Sequence, residues 1–132
     1  MTEKPNGREG RGLDRVLADL RALSPDIRSC AVLTREGRLF GSSHPEGVDR
    51  ERAQAMLGAL VGLLDQVARK NGKERAVQAK VRTELGYVLL VRLESGAILA
   101  AITGLDARVG LALYDMRNAR AEVERALEGE AA

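Results

Sequence analysis

His44 is the single histidine of the chain and follows Ser42-Ser43, so any serine–histidine chemistry would have to arise in one tripeptide. Sequence neighbours do not lay a hydroxyl on an imidazole, and a general base also needs a third group to orient it. A loop histidine is the expected reading. One His and one Cys cannot furnish a His- or Cys-paired zinc site, and Cys30, alone, allows no internal disulfide. Its apolar surroundings predict a buried, unreactive thiol. The glycines of Gly7-Arg-Glu-Gly-Arg-Gly follow no strand and miss the dinucleotide spacing, and no G-x-x-x-x-G-K-[ST] occurs. Carboxylates pair at Asp14/Asp19, Asp49/Glu51 and Glu122/Glu124, but they alternate with arginines as on solvated helix faces. The expectation is no catalytic residue, no metal site, no cofactor, and no enzyme activity.

The 132 residues suit one domain with a real core: 45% are hydrophobic and 30% charged, the balance of a globular chain. Aromatics are 2%, so Leu, Val, Ile and Ala must fill the core, and no stacking platform for nucleic acid is expected. The net charge of +2 comes from interspersed signs and gives no polyanion footprint. No run approaches the ~18 apolar residues of a membrane span, and the polar start lacks a signal-peptide core. A cytoplasmic protein is expected. Arg far exceeds Lys among the basic residues, as in a GC-rich bacterial genome.

The pattern divides the chain into a flexible leader (1–12), one domain (13–128) and a frayed tail (129–132). Leu13, Val16, Leu17 and Leu20 have helical spacing up to Ser24-Pro25. Ile27–Thr34 and Arg38–Ser43 read as a hairpin around Glu36-Gly37, followed by a loop at His44–Gly47. Asp49 is a plausible N-cap for a long helix that Asn71-Gly72 ends. Arg75–Glu84 alternates, with Val77, Ala79, Val81 and Thr83 on one face and Gln78, Lys80, Arg82 and Glu84 on the other. Tyr87–Leu93 and Ala97–Thr103 are apolar on both faces, so helices must cover the sheet twice. One last helix is expected from about Asp106, its stripe running through Val109, Met116, Val123 and Leu127. The fold class is therefore α/β (α+β): a three-layer α-β-α domain with a five-stranded antiparallel sheet in the order α-β-β-α-β-β-β-α. Its expected core is led by Val32, Leu57, Leu60, Leu64, Leu89, Val91, Leu99 and Met116.

The long helix shows one broad apolar arc from Ala53 to Ala68 that includes Met56, Leu63 and Val67. Its other side carries Ala55, Gly58, Ala59 and Gly62, flanked by Gln54, Asp65 and Gln66. Each mid-helix glycine costs roughly 1 kcal/mol against alanine, which a close approach would offset. Either a loop of the same chain or a second copy of this helix could make that approach, the second being favoured.

Leu13-Asp-Arg-Val-Leu-Ala-Asp-Leu, Ser29-Cys-Ala-Val-Leu-Thr-Arg-Glu-Gly-Arg-Leu-Phe and Ala53-Gln-Ala-Met-Leu-Gly-Ala-Leu share a pattern with a known family. So do Gly86-Tyr-Val-Leu-Leu-Val-Arg-Leu, Ser95-Gly-Ala-Ile-Leu-Ala-Ala-Ile and Asp106-Ala-Arg-Val-Gly-Leu-Ala-Leu-Tyr-Asp-Met. Together these segments resemble the roadblock/LC7 family, in its bacterial, MglB-like, GTPase-associated branch. The resemblance implies a profilin-like sheet with one helix on one face and two on the other. It further implies a homodimer that joins third strands and crosses second helices, here through Ala55, Gly58, Ala59, Gly62, Gln66, Val77, Ala79 and Val81. It implies a small Ras-like GTPase as partner, contacted near Gln54, Asp65 and Gln66, or else an adaptor role tethering a sensor kinase or motor. It transfers no catalytic arginine.

Overall fold

The computed structural model describes residues 5–40 and 49–131. Nine elements follow one another: α1 (Pro5–Leu23), β1 (Ile27–Leu33), β2 (Leu39–Phe40), α2 (Arg50–Lys70), β3 (Gln78–Arg82), β4 (Gly86–Arg92), β5 (Ile98–Gly104), α3 (Val109–Asn118) and α4 (Arg120–Ala131). The strands form one sheet in the order β2-β1-β5-β4-β3, every neighbouring pair antiparallel. Helix α2 lies on one face; α1, α3 and α4 cover the other. This is the three-layer α+β architecture the doubly apolar strands require.

The larger core lies under the three helices. Leu13, Leu17 and Leu20 of α1 meet Cys30, Val32, Leu89, Val91 and Leu99 of the sheet, and Met116 and Val123 close it from α3 and α4. On the other face Ala31, Leu33, Leu90, Ile98 and Ala100 meet Leu57, Leu60, Val61 and Leu64 of α2. No residue of α2 is buried. Leu57, Leu60 and Leu64 are therefore half-buried, not core residues as expected, whereas Val32, Leu89, Val91, Leu99 and Met116 are fully buried.

Local chemistry explains the ends of α2. Asp49 accepts hydrogen bonds from the backbone N–H groups of Glu51 and Arg52, Arg69 and Lys70 sit in the last turn, and Gly72 follows with φ +80°. Strand β3 has the expected faces, with Ala79 and Val81 half-buried and Gln78, Lys80 and Arg82 exposed.

Three boundaries differ from the sequence reading. Helix α1 begins at Pro5 and α4 runs to Ala131, so the expected leader and tail are largely helical. Proline suits a first helical turn, where its missing N–H has no partner to lose, and α1 packs lengthwise on α4. The single final helix is two, broken at Ala119, whose N–H is shared between the carbonyls of Asp115 and Met116. No Gly or Pro marks that break; it lets α3 lie on β4 while α4 turns onto α1. Ser42, His44 and the loop His44–Gly47 lie outside the described residues.

Helix α3 is capped from a distance. The Asp26 carboxylate accepts from the backbone N (3.0 Å) and Nε (2.9 Å) of Arg108, and these bonds hold its carboxyl below the ordinary range. Cys30 is buried, with its thiol 3.6 Å from the Leu17 carbonyl and its pKa pushed up to about 11 by burial. At about pH 8, where an exposed cysteine is partly thiolate, a disulfide-exchange reagent should leave Cys30 unmodified in the native protein. It should react at once in denaturant. Prompt native labelling would contradict the burial.

Gly86 and Gly58 make a second test. A Cβ at Gly86 would stand 1.8 Å from the Thr103 carbonyl oxygen, across the β4–β5 ladder, whereas one at Gly58 meets nothing within 4 Å. Gly86→Ala should cost about 2 kcal/mol or more. Gly58→Ala should raise stability by up to about 1 kcal/mol. Urea unfolding of the two variants gives both signs.

Candidate functional site

Helix α2 is fastened to the sheet at both ends by polar groups, and these fix what it leaves uncovered. Near its start the Gln54 Oε1 accepts from the Leu39 N–H (2.8 Å), and Arg50 donates to the Leu39 carbonyl (2.5 Å). Near its end the Asp65 Oδ1 accepts from the Ala76 N–H (2.9 Å) and from Arg92 Nη2 (2.5 Å). Arg92 also donates to the carbonyls of Ala76 (3.0 Å) and Gly96 (3.3 Å). Its side chain is 9% exposed and that of Asp65 18%, so the ion pair is largely removed from water but well hydrogen-bonded.

The helix thus crosses the sheet on a diagonal, from β2 to the start of β3. It packs on Leu33, Ile98, Leu90 and Ala79, and among the described residues no element covers the face around Ile102 and Val81. A groove of about 620 Å³ results, floored by Ala100, Ile102, Val88 and Val81 and walled by Met56 and Leu60. Ile102 is 46% exposed. The apolar arc of α2 is correspondingly split: Ala53, Leu57, Leu60, Val61, Leu64 and Ala68 are half-buried, while Met56, Leu63 and Val67 are 65%, 57% and 52% exposed. At ~100° per residue those three share the flank beside the groove.

Ala55, Gly58, Gly62 and Gln66 form the opposite flank, and Ala59 lies between the two; all are exposed. Nothing among the described residues lies within 4 Å of a Cβ built at Gly58 or Gly62, so no described loop of this chain uses that space. Of the residues expected near a partner, Gln54 and Asp65 are half-buried and hydrogen-bond to Leu39, Ala76 and Arg92, and Gln66 is exposed.

The two sheet edges differ. Strand β2 has two residues, and the outward N–H and C=O of Leu39 are taken by Gln54 and Arg50. Strand β3 pairs with β4 on one side and has no strand on the other among the described residues. Val77 (67% exposed), Ala79 and Val81 lie along this edge on the α2 side. An unpaired edge beside an apolar groove is a ready site for another chain. No group of three or more His, Cys, Asp or Glu suited to a metal ion occurs among the described residues, and no helix there is long and apolar enough to cross a membrane.

The sequence profile of the Roadblock/LC7 domain matches residues 13–103. The chain belongs to the Roadblock/LC7 family. Family members are generally regulatory and non-catalytic. MglB from Myxococcus xanthus is similar in structure, with a TM-score of 0.77, 14% identity, and 88% of this chain and 94% of that one covered. A Roadblock/LC7 domain from Streptomyces avermitilis gives 0.68 and 22% identity over 87% and 97%. Profilin from Schizosaccharomyces pombe gives 0.60 and 12% over 82% and 93%, which makes the fold profilin-like. Among curated protein sequences nothing matches.

The Asp65–Arg92 pair lends itself to a double-mutant cycle. Removing one partner strands a charge in a largely buried site, at a cost of about 3–5 kcal/mol. Asp65→Ala and Arg92→Ala should each destabilise strongly, and the double variant should cost clearly less than the sum. Additive losses in urea unfolding would show that the two side chains act separately.

Proposed function

We propose that the chain works as a homodimer that binds and regulates a small Ras-like GTPase, with no catalysis of its own. The observation that carries the dimer is an open β3 edge beside an uncovered apolar groove, with the β2 edge capped. Helix α2 lies over the start of β3, and no described element covers its end. Antiparallel pairing of two β3 edges about a two-fold axis sets the start of each strand beside the end of the other. The partner's second helix then descends over the bare half of this sheet. One geometry satisfies edge and groove together.

That geometry moves the helix–helix contact. Met56, Leu63 and Val67 flank the groove and meet the partner, with Val77, Ala79 and Val81 at the seam. Ala55, Gly58, Gly62 and Gln66 stay on the outside of the paired helices, where side-chain-free backbone admits close approach by a third chain. The GTPase is assigned to that outer surface, which spans both copies. The support for a GTPase is the family resemblance, together with a surface that has no chemistry of its own.

Light scattering at micromolar concentration tests the dimer. Wild type should be dimeric, Leu63→Glu monomeric, and the double Gly58→Leu/Gly62→Leu variant still dimeric. A dimeric Leu63→Glu protein, or a glycine variant that falls apart, would return the contact to the glycine flank. Regulation requires the partner's nucleotide states to be distinguished, since only differential affinity shifts an equilibrium. Titration against a genomically linked Ras-like GTPase should show one nucleotide state bound at least tenfold tighter, about 1.4 kcal/mol, and the double glycine variant should lose that binding. Equal affinity for both states would point to an adaptor instead.

A further inference from the structure

The face of β3 turned away from α2 carries Gln78, Lys80 and Arg82, all exposed, and the exposed Glu84 follows in the turn beyond the strand. The ion pairs among the described residues are Arg92–Asp65 and Arg108–Asp26, so neither Lys80 nor Arg82 has a described carboxylate within 4.0 Å. Arg117 of α3 reaches over to the same strand, donating to the Gln78 Oε1 at 2.8 Å, and its charge meets only a neutral amide there. That bond aligns α3 with the strand. One and two turns earlier on the same side of α3 stand Tyr114, 54% exposed, and Gly110, where a Cβ would meet open space. A basic strip thus runs beside a helix that offers an exposed aromatic ring and a side-chain-free gap.

Resting on the two-fold dimer proposed above, this strip is doubled. A two-fold axis normal to the sheet keeps each face on its own side, so the two copies' Lys80 and Arg82 share one surface on neighbouring strands about 4.8 Å apart. Like charges facing each other across strands are destabilising. The α3 helices, each ~10 Å across, flank the strip, which becomes a basic valley with Tyr114 on its banks. We infer that this valley, on the side opposite the GTPase surface, binds an extended acidic segment of a partner protein, rich in Asp or Glu and carrying an apolar residue to rest on Tyr114. The walls hold off a flat bilayer or a rigid duplex. One exposed aromatic per copy is also a poor stack for bases. Because the segment neutralises charges that oppose pairing, its binding and dimerisation strengthen each other reciprocally.

The test uses a fluorescein-labelled peptide of alternating Glu with a central Leu, titrated into the full chain while sedimentation reports the dimer. Wild type should bind it and lose at least tenfold in affinity between about 0.05 M and about 0.3 M NaCl. The double variant Lys80→Gln/Arg82→Gln should lose at least tenfold in peptide affinity, yet dimerise at least as tightly as wild type at low salt, because the repulsion is gone. Undiminished peptide binding in that variant would overturn the inference. So would a weakened dimer, or tighter binding of wild type to anionic vesicles or duplex DNA than to the peptide. A monomeric wild type whose peptide binding still depends on Lys80 and Arg82 would sink the two-fold reading and uphold the strip.

Discussion

Strands β4 and β5 carry apolar side chains toward both faces of the sheet, with Leu89 and Leu90, or Ala100 and Ala101, pointing oppositely and all buried. An antiparallel sheet built around them has to be covered twice, and the chain does so unequally. Among the described residues three helices share one face and α2 alone has the other. A helix ~10 Å wide covers about two strands spaced ~4.8 Å apart, and this sheet has five. A single diagonal helix cannot by itself cover that face whatever its sequence. The groove over Val81, Val88 and Ile102 follows from this shortage of cover, and so does the exposure of Met56, Leu63 and Val67.

Which half stays open is decided by polar contacts, not apolar ones. Leucines facing an apolar sheet slide with little penalty, but Asp65 matches only the Ala76 N–H and the Arg92 guanidinium, and Gln54 only the Leu39 N–H. A largely buried ion pair adds little net stability over an apolar pair of equal volume. Its effect here is registry: the end of α2 is held over the start of β3. The Gln54 and Arg50 contacts act on the far edge as well, since they occupy the outward backbone groups of β2 and withdraw that edge from pairing. Helix placement and edge selection therefore come from the same side chains.

This division explains what could be read from the sequence. Period-2 alternation in Gln78–Arg82, the double apolar character of β4 and β5, the Asp49 cap and the Asn71-Gly72 stop all act within a few residues, and each is where the pattern puts it. The break at Ala119 carries no Gly or Pro and depends on α4 reaching α1, which no local pattern encodes. The partners of Gln54 and Asp65 lie 11 to 27 residues away in sequence, so both looked like free polar groups beside an apolar arc. The arc itself misleads in a definite way. Helical periodicity counts apolar residues without saying how many surfaces they meet, and here Leu57, Leu60 and Leu64 meet the chain's own sheet while Met56, Leu63 and Val67 do not.

The glycines on the other flank narrow the role of α2 further. Each costs about 1 kcal/mol of helix propensity, and nothing described in this chain occupies the space they open. Packing among the described residues therefore does not account for them. Nor does the groove, since Gly58 and Gly62 lie on the side turned from it. In the dimer proposed above, Met56, Leu63 and Val67 face a second copy, and the glycine flanks of the two helices would form one outward surface that neither copy presents alone. A third protein bound there contacts both chains, so its affinity includes the free energy of bringing them together. Under that proposal a partner would recognise the assembled dimer and discriminate against the single chain by geometry, without a reactive group.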